Sequence, residues 1–189
     1  DIVERLPSGI NLYRLLEARP LLAQHLALIL AHAPPLADGL GRRPELLDGL
    51  IDESSFALPP EPDAMAERLR RAMDGEPYDR ALDKARRLVN ERRFALGVQL
   101  IAGHADPLDV ALGYSNVAEG TIVALAGAAA EEFARQHGRI EGAELLVLGL
   151  GRLGGRALTH ASDLDVIYLF DAPEGSASDG ARPLSATDY

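Results

Sequence analysis

The sequence lacks cysteine, which excludes disulfide bonds, thiolate metal sites and a cysteine nucleophile. It also lacks an excess of positive charge, because 29 acidic against 19 basic residues give a formal net charge of −10 and a pI near 4.9. Phosphate backbones repel such a surface, so general binding to nucleic acid is not expected. The absence of cysteine is compatible with a cytoplasmic protein.

Long apolar runs are also missing. The two most apolar stretches, residues 21–31 and 121–130, are much shorter than the roughly 20 residues that a membrane-spanning helix requires. The amino terminus has no basic segment followed by an apolar core, so no signal peptide is predicted. We therefore expect a soluble protein without membrane contact. The first residue is Asp1 rather than Met, which indicates a piece of a longer protein.

What is present is typical of a globular protein, with 47% hydrophobic and 25% charged residues in a chain of 189. Residues 1–138 read as a helical region, in which leucines recur at helical spacing and Pro20 begins or kinks a helix. A proline-rich stretch at 57–64 marks a possible break within this region. Beyond the break, helices are predicted over about 63–73, 77–102 and 106–138, the last as one or two helices.

The residue pattern changes from helical to strand-like after Gly138, which is well placed to end a helix. Residues 139–189 begin with "AELLVLGL" at 143–150, which predicts a buried strand. A second strand, rich in β-branched and aromatic residues, is predicted from "DLDVIYLF" at 163–170. The remaining residues, 171–189, read as loop. The predicted fold class is therefore α+β, with a mostly helical first part followed by the first strands of a second, incomplete domain.

The helix predicted over 77–102 is unusually basic for an acidic chain. We favour a solvated face whose basic residues pair with acidic neighbours, and contact with nucleotide phosphate or an acidic partner is the alternative. The basic residues concerned are Arg80, Lys84, Arg86, Arg87, Arg92 and Arg93.

A glycine-rich turn joins the two predicted strands. Gly149, Gly151 and Gly154 form G-x-G-x-x-G after a strand, and Asp171 follows about 20 residues later, as in dinucleotide-binding Rossmann folds. A Rossmann turn, however, opens a crossover of at least about 10–12 residues between parallel strands. Only residues 156–162 lie between the turn and the second predicted strand, so the dinucleotide interpretation ranks behind a second one.

The second interpretation starts from two aspartates. Residues i and i+2 of a strand lie on the same face, so Asp163 and Asp165 are expected to project together. Leu164 and Val166 are then expected to face the core. Two carboxylates on one face repel each other unless a cation lies between them. Mg²⁺ suits that position, because it takes carboxylate oxygens together with substrate phosphates.

The glycine turn supplies the phosphate side of the predicted site. Because they have no Cβ, Gly154 and Gly155 let backbone amides approach a triphosphate closely. The hydroxyl of Ser162 can add a hydrogen bond to a phosphate oxygen. Arg152 and Arg156 flank the glycines and can neutralise phosphate charge. The pattern as a whole predicts a site for magnesium and a nucleotide.

Other catalytic motifs are missing from the sequence. The five histidines show no H-E-x-x-H spacing, and G-x-S-x-G does not occur. We expect the histidines to have structural or surface roles. His160, which is nearest to the aspartates, is expected to serve as a cap or loop residue.

The segment "GLGRLGGRALTHASDLDVIYLFD", residues 149–171, resembles the active-site segment of glutamine synthetase adenylyltransferases. This family belongs to the nucleotidyltransferase superfamily related to DNA polymerase β. The pattern G-(R/K)-L-G-G, a spacer and S-D-(L/I)-D carries the resemblance. Upstream, "INLYRLLEARPLLAQHLALILAHAPPLADGLGRRPELLDGLID" and "RRFALGVQLIAGHADPLDVALGYSNVAEGTI" are similar to the helices that precede the family's second catalytic domain.

The resemblance implies a bifunctional enzyme. One domain attaches AMP from ATP to a tyrosine of glutamine synthetase, and the other removes it by phosphorolysis. It implies that Asp163 and Asp165 are catalytic and bind Mg²⁺, that ATP contacts the glycine turn, and that the second strand begins a nucleotidyltransferase palm. Partners implied are glutamine synthetase and nitrogen-signalling proteins of the PII type.

The resemblance also implies that one carboxylate of the active site lies outside this chain. The superfamily normally adds a third carboxylate from a later strand, and this chain is expected to end before that strand. The chain alone is therefore expected to be inactive. The competing interpretation is a non-catalytic helical module that docks glutamine synthetase or a nitrogen-signalling protein.

Overall fold

Helices form most of the chain and lead into a small sheet. The structure is a computed structural model that describes residues 9–47, 50 and 57–189, with backbone only for 9–12. It has the helix-rich α+β composition predicted. The elements are α1 (Gly9–Ala18), α2 (Pro20–His32), α3 (Pro34–Arg42), a 3-10 turn (Pro44–Leu47), α4 (Pro62–Met73), α5 (Tyr78–Ile101), α6 (Pro107–His137), β1 (Glu144–Gly149), α7 (Gly151–Gly154) and β2 (Val166–Asp171).

The helix ends follow from local chemistry. Proline begins α2, α3, α4 and α6, where its missing N–H has no intrahelical partner to lose. The α6 helix is also capped at its start, where the Asp106 carboxylate accepts a hydrogen bond from the Leu108 N–H at 2.8 Å. It ends at Gly138, which has a φ of 73°. The stretch predicted as one or two helices is thus a single 31-residue helix.

Helix α5 contributes to two hydrophobic cores. Its residues Phe94 and Val98 pack with leucines of α2, α3 and the 3-10 turn. Leu96, which lies between them in sequence, packs into a second core formed with α4 and α6. Leu153 and Leu158, from the glycine-turn region, belong to this second core. The glycine turn is thereby fixed directly to the helices.

Helix α4 approaches α6 closely because Gly120 has no side chain. A Cβ at Gly120 would lie 2.7 Å from the carbonyl oxygen of Pro62 and 2.7 Å from the Cβ of Met65. Met65 and Leu69 of α4 are fully buried in this contact. Close packing of this kind leaves no room for an added methyl group.

The two strands form an antiparallel ribbon. Glu144 pairs with Asp171 at one end, and Gly149 pairs with Val166 at the other. Antiparallel pairing is incompatible with the parallel crossover of a Rossmann fold. The α7 segment between the strands also has only four residues. The dinucleotide-binding interpretation is therefore wrong.

The predicted burial of residues 143–150 is also wrong. Leu145 and Leu146, whose side chains point to opposite faces, are 53% and 54% exposed. The helices cover the ribbon near Val166, which packs against the second core, and leave these two leucines accessible. A continuous apolar run predicts burial only when other elements cover both faces of the strand.

The last residues fold back against the end of α6. The Arg139 N–H donates to the Asp179 carboxylate at 2.7 Å, and the Tyr189 hydroxyl donates to the Gly138 carbonyl at 3.1 Å. The Tyr189 ring also contacts Phe133. Residues 171–189 were predicted as loop, but Asp171 is the last residue of β2. In residues 172–189 the regular structure is limited to an isolated bridge between Ala177 and Ser185.

Within the described ranges, no single helix has the length and apolarity needed to cross a bilayer. The α2 and α3 helices meet that test only when taken together, and the chain bends by 115° between them. Both helices place leucines in the first hydrophobic core.

The approach of α4 to α6 gives a first prediction. We expect Gly120→Ala to lower the free energy of unfolding by about 1–3 kcal/mol, because the added methyl group overlaps the backbone of α4. Gly127→Ala is the matched control on the same helix, since a Cβ there meets nothing within 4 Å. It should raise stability by up to about 1 kcal/mol. Urea unfolding measures both, and equal effects would contradict the close contact.

Candidate functional site

The glycine turn is a single helical turn that follows β1. It is closed by the Gly154 N–H, which donates to the Leu150 carbonyl at 2.9 Å, and by the Gly155 N–H, which donates to the Gly151 carbonyl at 3.1 Å. Gly154 lies so close to the preceding strand that a Cβ would be 2.5 Å from the Gly149 carbonyl oxygen. The turn therefore requires glycine at this position.

Asp165 lies directly against this turn. The Leu150 N–H donates to the Asp165 carbonyl at 2.8 Å, which fixes its backbone beside the end of β1. Its carboxylate lies over Gly151, where a Cβ would come within 2.6 Å of Asp165 Oδ2. Gly151 also has a φ of 53°, in the left-handed region that favours glycine. The structure thus brings together the predicted glycine turn and one predicted aspartate.

The aspartates do not lie on the second strand, contrary to the prediction. Strand β2 begins at Val166, so Asp163 and Asp165 belong to the extended segment that precedes it. After Gly149 the chain leaves β1 and enters α7, so the segment that contains the two aspartates has no strand with which to pair. Leu164 was expected to face the core, but it is exposed. Val166 does pack against the core, as predicted.

The chemistry of these residues fits a hard cation. Asp163 and Asp165 are both exposed carboxylates, and that of Asp165 lies against Gly151 of the glycine turn. Mg²⁺ is usually held by one or two carboxylates and completes its shell with substrate phosphates and water. Among the described residues, no group of three or more acidic or histidine side chains forms a fuller metal site.

Ser162 and Arg152 have different surroundings. The Ser162 hydroxyl accepts a hydrogen bond from the Thr159 N–H at 3.0 Å and lies 2.9 Å from the Thr159 hydroxyl, so it closes a local turn. Arg152 is exposed on α7, between the glycines. The predicted contacts of Ser162, Arg152, Gly154 and Gly155 with phosphate stay predictions.

Arg156 contacts the helices. Its Nη2 donates to the side-chain oxygen of Asn116 on α6 at 2.6 Å. The same atom lies 3.6 Å from the Glu119 carboxylate and 3.8 Å from that of Glu61. Arg156 is also the one described non-glycine residue with positive φ, at 51°. Sequence reasoning placed this residue beside phosphate and did not detect its contact with α6.

Two further contacts hold the following residues to the helices. The Leu158 N–H donates to the Ser115 hydroxyl at 3.4 Å. The His160 ring lies beside Tyr114, with 3.3 Å between His160 Nδ1 and the tyrosine oxygen, and Arg93 donates to the His160 carbonyl at 2.7 Å. His160 is therefore a loop residue, as expected, but one held from both α5 and α6.

Burial shifts the pKa values of this pair. Burial, and secondarily the Arg93 guanidinium, lowers the pKa of His160, which favours the neutral ring. Burial raises the pKa of the Tyr114 phenol despite the opposing effect of Arg93, so the hydroxyl stays protonated. The Tyr114 hydroxyl can therefore donate to the Arg93 carbonyl, 3.1 Å away.

The basic residues of α5 divide between two roles. Lys84 pairs with Glu76 at 2.6 Å and Arg86 with Asp83 at 3.1 Å, as the favoured interpretation of a solvated face predicts. Arg93 instead reaches the loop before the aspartates. No local sequence pattern signals this second role, because the contact of Arg93 with the loop depends on how the helices pack.

Comparison with known proteins identifies the family. A sequence profile of the glutamate-ammonia ligase adenylyltransferase family matches residues 23–189. A bifunctional glutamine synthetase adenylyltransferase/adenylyl-removing enzyme of Mesorhizobium japonicum is 39% identical over 191 residues, covering the whole chain. Similarly named proteins of Brucella suis and a Bradyrhizobium species are 35% and 38% identical over 99% of the chain.

The chain belongs to the glutamate-ammonia ligase adenylyltransferase family. The resemblance in the glycine turn and aspartate pair is thereby confirmed at the level of the family. The chain spans 19% of the length of these three relatives, about a fifth.

The contact between Gly151 and Asp165 gives a second prediction. We expect Gly151→Ala to destabilise the protein more than Gly75→Ala does. Both positions have positive φ, so each substitution costs roughly 1–2 kcal/mol in the backbone, but a Cβ at Gly75 meets nothing within 4 Å. Adding Asp165→Ala to Gly151→Ala removes the overlapping carboxylate and should recover the difference. Urea unfolding of the four proteins tests this, and no recovery would contradict the contact.

The lowered pKa of His160 gives a third prediction. Between its folded pKa and the ordinary value of about 6.5, the unfolded state binds more protons. The contribution of His160 to stability is therefore complete above about pH 6.5 and is lost as the pH falls. His160→Gln should flatten the dependence of the free energy of unfolding on pH between 7 and 5. The same substitution at exposed His32 is the control, and an equal slope in both variants would contradict the assignment.

Proposed function

We propose that the chain forms part of an enzyme that transfers AMP from ATP to glutamine synthetase. Its relatives are named for this transfer and for removal of the adenylyl group. Following the family resemblance, the acceptor is a tyrosine hydroxyl of glutamine synthetase, and a second domain removes AMP by phosphorolysis. The partner and substrates proposed for this chain are accordingly glutamine synthetase and ATP.

One observation carries the proposal more than any other. The carboxylate of Asp165 lies against Gly151, although the two residues are far apart in sequence. A nucleotide whose phosphates lie along the glycine turn would therefore be adjacent to a carboxylate that can hold a cation. Charge neutralisation and positioning are the main demands of phosphoryl-type transfer, and this juxtaposition serves both.

The residues have distinct proposed roles. Asp163 and Asp165 hold Mg²⁺, while Gly154 and Gly155 allow backbone amides to approach the phosphates. Arg152, exposed beside them, neutralises phosphate charge, and Ser162 adds a hydroxyl if its turn with Thr159 opens. When bound, Mg²⁺ supplies positive charge that stabilises the attacking and leaving oxygens.

The proposed transfer is an in-line displacement. The tyrosine oxygen of glutamine synthetase forms a bond to the α-phosphorus of ATP, while the bond from that phosphorus to the β-bridging oxygen breaks. Pyrophosphate leaves with the electron pair of the broken bond, and the phenolic proton is released to solvent. The chain's own residues contribute position and charge, because such transfers need little covalent help from the protein.

The surrounding fold is part of the same proposal. We assign β1, α7 and β2 to the beginning of a nucleotidyltransferase palm, and the helices before them to the half that attaches AMP. The third carboxylate is not assigned to Asp179 or Asp188. Asp179 already accepts the Arg139 N–H, and Asp188 accepts the Ser185 hydroxyl. Contact with PII-type proteins and a cytoplasmic location stay predictions.

The aspartate pair gives the fourth prediction. In the full-length protein, Asp163→Asn/Asp165→Asn should lower AMP transfer to glutamine synthetase by at least about a hundredfold, because the carboxylates that hold the cation are lost. Calorimetric titration with ATP should show magnesium-dependent binding to the parent protein and none to the variant. Asp38→Asn/Glu45→Gln makes the same change in net charge at exposed positions on the first helices and should leave both measurements unchanged.

The possible outcomes separate the two interpretations of the chain. AMP transfer that survives in the aspartate variant would refute the proposed site. Binding of glutamine synthetase without any magnesium-dependent binding of ATP to the parent protein would instead favour the non-catalytic docking module.

A further inference from the structure

We propose that Tyr114, Ser115 and Asn116 of α6 are positioning residues for the nucleotide site. These three consecutive residues, here named the α6 clamp, hold the loop of residues 156–160 between the glycine turn and the aspartates. The inference rests on the proposed function, because it concerns the geometry of that same site. It assigns a part of the catalytic apparatus to the helical region of the chain.

The clamp contacts the loop in a regular order. Asn116 accepts from Arg156, Ser115 accepts from the Leu158 N–H, and Tyr114 lies against the His160 ring. A step of one residue toward the amino terminus of α6 therefore corresponds to a step of two residues toward the carboxyl terminus of the loop. The loop therefore runs antiparallel to the helix over its whole length.

The clamp residues are buried deeply enough to make these contacts significant. Ser115 is fully buried and Asn116 is 4% exposed, so water does not readily replace the loop as a partner. An unpaired polar group in such a place is costly, so Asn116 requires Arg156 as its partner. The Ser115 hydroxyl, which itself donates to the Ala111 carbonyl at 3.0 Å, serves as the acceptor of the Leu158 N–H. Leu158, at the centre of the loop, is also buried in the core with α4 and α6.

A fourth contact closes the clamp from the other side. Arg93 of α5 donates to the His160 carbonyl at 2.7 Å, and the Tyr114 hydroxyl donates to the Arg93 carbonyl at 3.1 Å. His160 is thereby held between two helices. It lies only three residues before Asp163, so this contact fixes the point from which the aspartate segment starts.

Both ends of the aspartate segment are therefore fixed by independent contacts. At its start, the clamp holds His160, and at its end the Leu150 N–H holds the Asp165 carbonyl at 2.8 Å. The start of the loop is fixed separately by the backbone turn at Arg156, where the Arg156 N–H donates to the Leu153 carbonyl at 3.0 Å and the Ala157 N–H to the Arg152 carbonyl at 2.9 Å. Releasing the clamp frees one end of the segment while β2 and the glycine turn stay paired.

A double-mutant cycle tests the inference in the full-length protein. Asn116→Ala and Arg156→Ala each remove one partner of the same hydrogen bond. We expect each to lower kcat for AMP transfer by roughly tenfold to a hundredfold, the range expected when reacting groups are misplaced by about 1 Å. The KM for ATP should change less than about threefold, because the glycine turn itself is intact. The double variant should be no slower than either single variant.

Three further measurements separate positioning from general loss of structure. Thr121→Val removes a hydroxyl that donates to the Val117 carbonyl within the same helix, and it should leave kcat unchanged. Asn116→Asp keeps an oxygen opposite Arg156 and should restore most of kcat. Hydrogen exchange of the amides at 157–165 should be faster in Asn116→Ala, while exchange within 117–130 stays at the parent rate.

The outcomes distinguish this inference from the proposed function. If the parent protein transfers AMP and the clamp variants match Thr121→Val in kcat, the clamp inference is overturned and the proposed function stands. Additive losses in the double variant would also overturn it, since they would show that Asn116 and Arg156 act separately. If the parent protein transfers no AMP, the proposed function fails, and with it the catalytic role of the clamp.

Discussion

Polar side chains buried on a helix must find hydrogen-bond partners, and on α6 this requirement determines where the loop before the aspartates lies. Ser115 and Asn116 occupy the middle of a helix that packs against both α4 and α5, so solvent cannot satisfy them. The loop of residues 156–160 provides the partner of Asn116 and a second contact of Ser115, whose hydroxyl also donates to the Ala111 carbonyl at 3.0 Å. The place of the site follows from this requirement, because the aspartate segment starts where the loop ends.

Approximate free energies show which contact of the Arg156 side chain contributes most to stability. A non-glycine residue in the left-handed region costs roughly 1–2 kcal/mol. A hydrogen bond between a charged guanidinium and a buried acceptor contributes about 1.5–3 kcal/mol, which offsets that cost. The ion pairs with Glu61 and Glu119 are longer and partly exposed, so they contribute little. The left-handed turn itself is closed by backbone bonds from the Arg156 N–H to the Leu153 carbonyl and from the Ala157 N–H to the Arg152 carbonyl, and the bond to Asn116 attaches the Arg156 side chain to α6.

Structural features that depend only on residues adjacent in sequence could be predicted from the sequence. Pro20 and Gly138 mark helix ends through their own backbone chemistry, and the structure confirms both. The beginning of β2 could not be predicted in this way, because a strand needs a partner and β1 has already turned at Gly149. Burial of the strands failed for a related reason, since it depends on which elements cover each face of the sheet.

The candidate site likewise combines features that the local sequence predicts with features that depend on packing. The spacing of Asp163 and Asp165 behind a glycine turn predicted a site at the turn, and the structure places the Asp165 carboxylate against Gly151. The roles of both aspartates stay predictions. The α6 clamp was missed because a short polar run in a helix is usually solvent-exposed. Its burial depends on how α4 and α5 pack, and no local pattern encodes that packing.

The residue pattern changes after Gly138, from helices before it to strands after it, but one hydrophobic core includes residues from both sides. Leu153 and Leu158 pack with α4, α5 and α6, and the loop between the glycine turn and the aspartates bonds to α6. The helices therefore do more than connect domains. The proposed site needs the Asp165 carboxylate and the glycine turn held in fixed relative positions, and sites supported by packed helices are positioned more precisely than sites on loops alone. Here α6 is the long element to which the loop between the glycine turn and the aspartates is bonded.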